Sequence, residues 1–275
     1  MRSFTTGCLI GLIWMLPQNA QVPPTLEAVI ERVSRFAEQQ RETLSNVRAD
    51  EQYEQRLEYD DGHVIARRQL DSEMAFVRLT GEEDWLAFRN VVRVDSKPTG
   101  TDPARLEKVF RDGPASTQGN RIARESAFYN LGGLERTLNT PVIPLHALMP
   151  AQVKRFKFKK EDEEASRVWI VSLRESQRPT IVRSMGRVDV PIEGRLWIEP
   201  ATGVLVRALL EMTHPVKTRL EFSWRRDEKL GAWVPSEMRE RYARVRGSSQ
   251  RRPYDIVGVA TYSNYRRFAV DVRIK

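Results

Sequence analysis

Between residues 194 and 246, apolar side chains recur at every second position, and the runs are separated by turn chemistry. Leu196 and Ile198 alternate with Arg195, Trp197 and Glu199. Pro200-Ala201-Thr202-Gly203 then turns the chain, with Gly203 free to take a positive φ. Val204, Val206, Ala208 and Leu210 share a face on the return. Thr218, Leu220, Phe222 and Trp224 alternate with Arg219, Glu221, Ser223 and Arg225. A turn over 227–231 leads into Trp233-Val234-Pro235 and a strand through Met238, Glu240 and Tyr242. A period of two rules out a helix here. It predicts antiparallel hairpins with one buried and one wet face.

The same period runs through much of the chain. Ala49, Glu51, Tyr53, Gln55, Leu57 and Tyr59 share a face before the hairpin signal Asp60-Asp61-Gly62. The partner segment, 63–80, is expected to break near Leu70-Asp71-Ser72. In the next strand Leu86, Phe88, Val92 and Val94 are expected on one face. Strands resume at Val153, where Phe156 and Phe158 alternate with Arg155, Lys157 and Lys159. The acidic turn Glu161-Asp162-Glu163-Glu164 returns into Val168-Trp169-Ile170-Val171. Residues 257–262 and the alternating Phe268, Val270, Val272 and Ile274 close the chain.

Two stretches have a different period. After Pro23-Pro24, Thr25 is placed to cap a helix whose stripe is Leu26, Val29, Ile30, Val33, Phe36 and Ala37. That stripe must cover something, and the concave face of a sheet is the natural site. Residues 102–150 read as a helical insertion: Asp102-Pro103 starts one helix, and Gly132-Gly133 stops a second over 118–131. Pro141, Pro144 and Pro150 then bracket a short turn or helix with Leu145, Leu148 and Met149. With no internal repeat, residues 21–275 are predicted to form a single α+β domain. Its centre is a curved antiparallel β-sheet, a half-barrel of about ten strands, with the N-terminal amphipathic helix and the inserted helices packed on one face.

The first residues read as a signal peptide, 1–20. Arg2 precedes an apolar run from Cys8 to Leu16, and cleavage is expected near Ala20. A lipidated Cys8 and an uncleaved anchor are the alternatives. Cleavage removes the sole cysteine, leaving no disulfide, thiol nucleophile or cysteine metal ligand. The expected location is the bacterial periplasm or the exterior. The formal charge of +8 comes mostly from arginines scattered over many strands. This reads as the wet face of a sheet, or as attraction to an anionic membrane surface; export disfavours nucleic acid.

Catalytic patterns are absent. His63, His146 and His214 lack metal-ligand spacing, Ser126 lacks a nucleophile elbow, and the acidic clusters fall at turns. The chain is read as a non-enzyme with no metal and no cofactor. The tryptophans Trp85, Trp169, Trp197, Trp224 and Trp233 all lie in predicted strands, where they fill core or line a cavity. The candidate cavity residues are Val29, Val33, Phe36, Phe88, Trp197, Phe222 and Trp224.

The hairpin 194–207, an apolar strand ending in Glu199-Pro200-Ala201-Thr202-Gly203 and returning apolar, resembles one used by the Lol-type periplasmic lipoprotein-carrier superfamily (LolA/LolB-like fold). The closing residues 261–268 are also similar, although 102–150 is a larger insertion than those carriers have. The chain more closely resembles uncharacterised secreted proteins of soil bacteria, which implies no activity. The carrier resemblance implies a half-barrel around an apolar cavity and a partner that is a lipid or a lipoprotein acyl chain. Two other readings stay open: an envelope interaction or sensor module with a solid core, and a hydrolase with a non-local Ser/His/Asp site. Ligand identity and oligomeric state are not legible.

Overall fold

The computed structural model describes residues 23–45, 47–78, 85–102, 105–106, 125–134, 136, 138–161, 167–184, 186–246 and 252–268. The predicted signal peptide with Cys8, most of the first two insertion helices, the acidic residues 162–164 and the closing residues 269–275 lie outside the described residues.

Helix α1 (Leu26–Leu44) starts as the sequence dictates. Thr25 is extended, its Oγ1 accepts a hydrogen bond from the Ala28 amide at 3.3 Å, and Glu27 stands in the first turn. Val29, Val33, Phe36, Ala37 and Leu44 form its buried stripe.

The strands that follow are β1 (Val47–Glu58), β2 (Val64–Arg78), β3 (Trp85–Val94) and β4 (Lys97–Pro98). The short helices α2 (Ile143–Leu148) and α3 (Pro150–Val153) come next, then β5 (Phe156–Lys160) and β6 (Trp169–Glu175). A small hairpin, β7 (Val182–Arg183) and β8 (Asp189–Val190), precedes β9 (Glu193–Ile198) and β10 (Leu205–Met212). They are followed by β11 (Lys217–Asp227), β12 (Ala232–Val245) and β13 (Tyr254–Arg267).

Among the described residues, eleven strands make one open sheet, in the order β4-β3-β2-β1-β13-β12-β11-β10-β9-β6-β5. The pairings are antiparallel, and two join strands distant in sequence, β1 with β13 and β6 with β9. β7 and β8 stand apart as a two-stranded sheet. Bulges at Arg48/Asp50, Leu57/Glu58, Asp71/Ser72 and Ser223/Trp224 add local twist, which bends these long strands. The result is a curved antiparallel α+β fold with α1 and α2 on its inner face. Leu145 and Leu148 of α2 join the stripe of α1 and the inward residues Leu196, Leu210, Leu220 and Phe222 in one continuous core.

Two expectations about β2 and β3 need correction. β2 runs unbroken, because Leu70, Asp71 and Ser72 pair in continuous register with Tyr53, Gln52 and Glu51 of β1, and the irregularity falls instead on β3, where Val92 is the extra residue of a bulge opposite Asp71/Ser72. The same bulge pairs Val91 with Ser72 and Arg89 with Met74, so Val91 enters the core. Phe88 pairs with Ala75 on the opposite face.

The turn between β9 and β10 locks α1 in place. Gly203 has φ +78°, and a Cβ there would lie 2.4 Å from the carbonyl carbon of Arg32. Arg32 in turn donates from Nη1 to the Pro200 carbonyl at 2.7 Å.

Candidate ligand groove

The inner face divides into an apolar part and a polar part. Five of the candidate cavity residues, Val29, Val33, Phe36, Phe222 and Trp224, lie together in the apolar core. The Phe222 and Trp224 rings are 6.3 Å apart, tilted. Phe88 is buried away from that cluster. Trp197 alternates onto the outer face, with the Arg207 guanidinium 4.6 Å above its ring.

In the polar part, Glu51, Tyr53 and Gln55 of β1 and Glu240 and Tyr242 of β12 point inward and are buried. Arg89 grips Glu51 through two bonds, Nε to Oε2 at 2.5 Å and Nη2 to Oε1 at 2.7 Å. Arg89 Nη2 also donates to the Asn139 carbonyl at 3.1 Å. From the insertion, Arg136 donates to Glu240 and to Gln55, to the Tyr53 hydroxyl at 3.2 Å and to the Leu131 carbonyl at 3.1 Å. Tyr53 donates to Glu240 as well. Gly258, between Gln55 and Glu240 in the ladder, leaves the room: a Cβ there would be 2.7 Å from Glu240 Oε1 and 2.8 Å from the Tyr53 ring.

The electrostatics follow from burial. The Tyr53 hydroxyl is pushed far above the ordinary tyrosine range by desolvation, reinforced by the Glu240 charge. Burial opposes the charge of Arg89, but the Glu51 carboxylate outweighs it and raises its pKa. The Leu131 amide reaches Gln55 at 2.8 Å and the Gly133 amide reaches the Tyr254 hydroxyl at 3.1 Å. The middle of the inner face is therefore closed by the chain's own insertion.

Open space lies toward the β5 edge. A groove of about 610 Å³ runs along α1 past Leu26, Ile30 and Ser34 and is bounded by Pro150 and Val153 of α3 and Phe158 of β5. Glu27, Glu31 and Arg35 complete its rim, and Arg35 pairs with Glu31 along the helix. Leu26 and Ile30 are the flank of the α1 stripe that the core does not cover completely. The groove exists because α3 and the edge strand stop short of that flank.

Of the groove residues, Leu26 and Ile30 stand out in sequence as part of the helical stripe, and Phe158 as one side of an alternating strand. Nothing in the pattern brings Val153 and Phe158 to α1. Parity places Glu51 and Gln55 on the buried face of β1, which was the available sign of a polar interior. Arg89 and Arg136 have no such sign, one because of the bulge, the other because it sits in an irregular segment.

Among the described residues, no group of three His, Cys, Asp or Glu side chains is arranged to hold a metal ion. No described helix is long and apolar enough to cross a membrane. No family model matches the sequence, and no curated protein matches it. Among solved structures the chain is similar to a LolA superfamily protein from Nitrosomonas europaea, at 11% identity over 92% of this chain and 98% of that one, with a TM-score of 0.35. This is a weak likeness in fold and says nothing of a ligand.

Proposed function

We propose that this protein is a non-catalytic binder of an apolar ligand, a lipid or a lipoprotein acyl chain, held in the groove between α1, α3 and β5. The observation that carries the reading is the groove itself, apolar at Leu26, Ile30, Pro150, Val153 and Phe158 beside an otherwise continuous core. Small-molecule sites enclose roughly 300–1,000 Å³ and are mostly apolar with a few polar groups at the edge, which fits this one. The site differs from the cavity expected between sheet and helices. It sits at the open edge of the sheet because the insertion and α1 fill the centre.

The test is titration of the delipidated protein with the neutral fluorescent probe N-phenyl-1-naphthylamine. Saturable binding that is lost in Ile30→Asp and Val153→Asp, both folded, supports the groove. A wild-type protein that takes up no probe refutes it. The buried clamp of Arg136 and Glu240 favours the second reading, an envelope interaction module with a solid interior, and that reading takes over in the latter case. Location in the periplasm or exterior rests on the predicted leader. Intact mass from the native host should show a chain starting at Gln21, and a species retaining Cys8 would argue against a free protein.

A further inference from the structure

On the outer face, arginines are neutralised by neighbouring acids, across strands (Arg174 by Glu193, Arg207 by Glu221, Arg241 by Asp255) or along one strand (Arg219 by Glu221, Arg239 by Glu237). One end of the molecule is different. Just before β5, Lys154 and Arg155 meet the loop that enters the β7–β8 hairpin, through the Gln177 side chain and the Pro179 carbonyl, and beside them stand Arg178, Arg183 and Arg187. Two hydrogen bonds fix Arg155 against that loop. Ser176 donates to the Arg155 carbonyl at 2.8 Å, and Arg155 Nη1 donates to the Pro179 carbonyl at 2.6 Å.

The carboxylates at this end are already engaged. Glu175, buried, accepts from the Ile181 and Ile192 amides at 2.8 Å and 3.3 Å. Asp189 accepts from the Thr180 amide at 2.9 Å and is shared by two cations, Arg178 at 3.0 Å and Arg183 at 3.8 Å. The positive charge of the group therefore exceeds what its own acids can balance.

The hairpin tip carries an apolar side chain. Val188 is 61% exposed and, with Phe128, one of the two large apolar residues among those described that stand mostly in water. The tip is tightly formed, with Ser184 N to Val188 O and Arg187 N to Ser184 O both at 2.9 Å. Gly186 and Arg187 supply the positive φ values of 88° and 62° that the turn requires.

We propose that this end docks the protein on an anionic bilayer surface, with Val188 entering the headgroup layer and the surrounding cations facing lipid phosphates. Cations near an anionic leaflet are attracted within about a Debye length, and an apolar tip adds contact that a purely charged partner does not reward. A polyanion in solution would use the arginines and leave Val188 without a role. Docking stands independently of the groove, since none of these residues lines it.

Co-sedimentation with lipid vesicles tests the idea. The folded protein should sediment with vesicles containing phosphatidylglycerol, much less with pure phosphatidylcholine, and release as salt rises. Arg183→Gln and Arg187→Gln should each lower partitioning about fivefold. Val188→Ser should lower it as well, while Arg219→Gln and Arg239→Gln on the outer face leave it unchanged. Thermal melts establish that the variants are folded. No sedimentation of wild type with anionic vesicles overturns the proposal. So does a Val188→Ser protein that binds as wild type while the arginine variants do not, because the surface would then be a polyanion site.

Discussion

Arg136 and Glu240 meet on the inner face of the sheet with both side chains wholly withdrawn from water. The insertion brings the cation and β12 the carboxylate, so one contact ties an irregular segment to the inner face of the sheet. Breaking a buried pair from one side strands the other charge. Arg136→Met should cost about 3–5 kcal/mol in urea unfolding, and Arg136→Met with Glu240→Leu should recover part of it. Arg174→Gln, which breaks an exposed pair, should change stability by about 1 kcal/mol or less. Equal costs for the two single variants would show that the clamp does not hold the insertion.

Phe36 lies in the continuous core and does not line the groove. Phe36→Ala should lose about 3–5 kcal/mol of stability while binding of an apolar probe is retained. Ile30→Ser should do the reverse, weakening the probe signal at a smaller cost in stability than Phe36→Ala, because Ile30 is only partly buried. A Phe36→Ala protein with a small stability loss and altered probe binding would instead make α1 a lid over ligand.

Gly203 combines a left-handed backbone with contact to α1. Gly203→Ala should lower stability by about 1–3 kcal/mol from the backbone alone, and more if Arg32 must move. Gly231, with φ +62° and open space around it, shares the backbone cost without the contact. Comparing the two alanine variants by thermal melting isolates the docking of α1 on the turn.

Tyr53, Tyr242, Tyr262 and Tyr265 are each raised well above the ordinary tyrosine value, in every case by burial first. A raised folded pKa means full stability below the unfolded value of about 10, with stability lost as pH climbs above it and the unfolded chain sheds protons the native state retains. Alkaline titration should therefore show the tyrosinate absorbance of these four appearing together with loss of the fold. Ionisation of any of these four, followed by NMR or by Tyr→Phe difference titration, while the protein is still folded would mean that the interior is wetter than the structure places it.

Much of the fold is legible from sequence because a period of two survives any tertiary arrangement. Leu196, Ile198, Leu220 and Phe222 are inward where alternation puts them, and α1 begins at Thr25 as capping chemistry demands. Alternation fails where a bulge adds a residue. Phe88 and Val91 trade faces across Asp71/Ser72, which no local pattern reveals. The groove was legible only in halves. The α1 flank and the Phe156-Lys157-Phe158 alternation are visible, but their meeting depends on β5 being the last strand of the sheet, a fact of topology. Trp197 shows the limit of residue type as a guide: a large aromatic on a wet face finds its cover in Arg207.

The pairing of β1 with β13 has a kinetic consequence. Asp50 and Arg266 form an ion pair between residues 216 positions apart, and Arg266 also reaches Glu73 on β2. Local hairpins such as β1–β2 and β11–β12 can zip early, whereas the two halves of the sheet share a seam that closes only when the last strand arrives. Until then β1 offers a bare edge carrying Ala49, Tyr53 and Leu57 to any neighbouring strand. In this sheet β13 is the fastener, since it alone joins the β1 side to the β12 side.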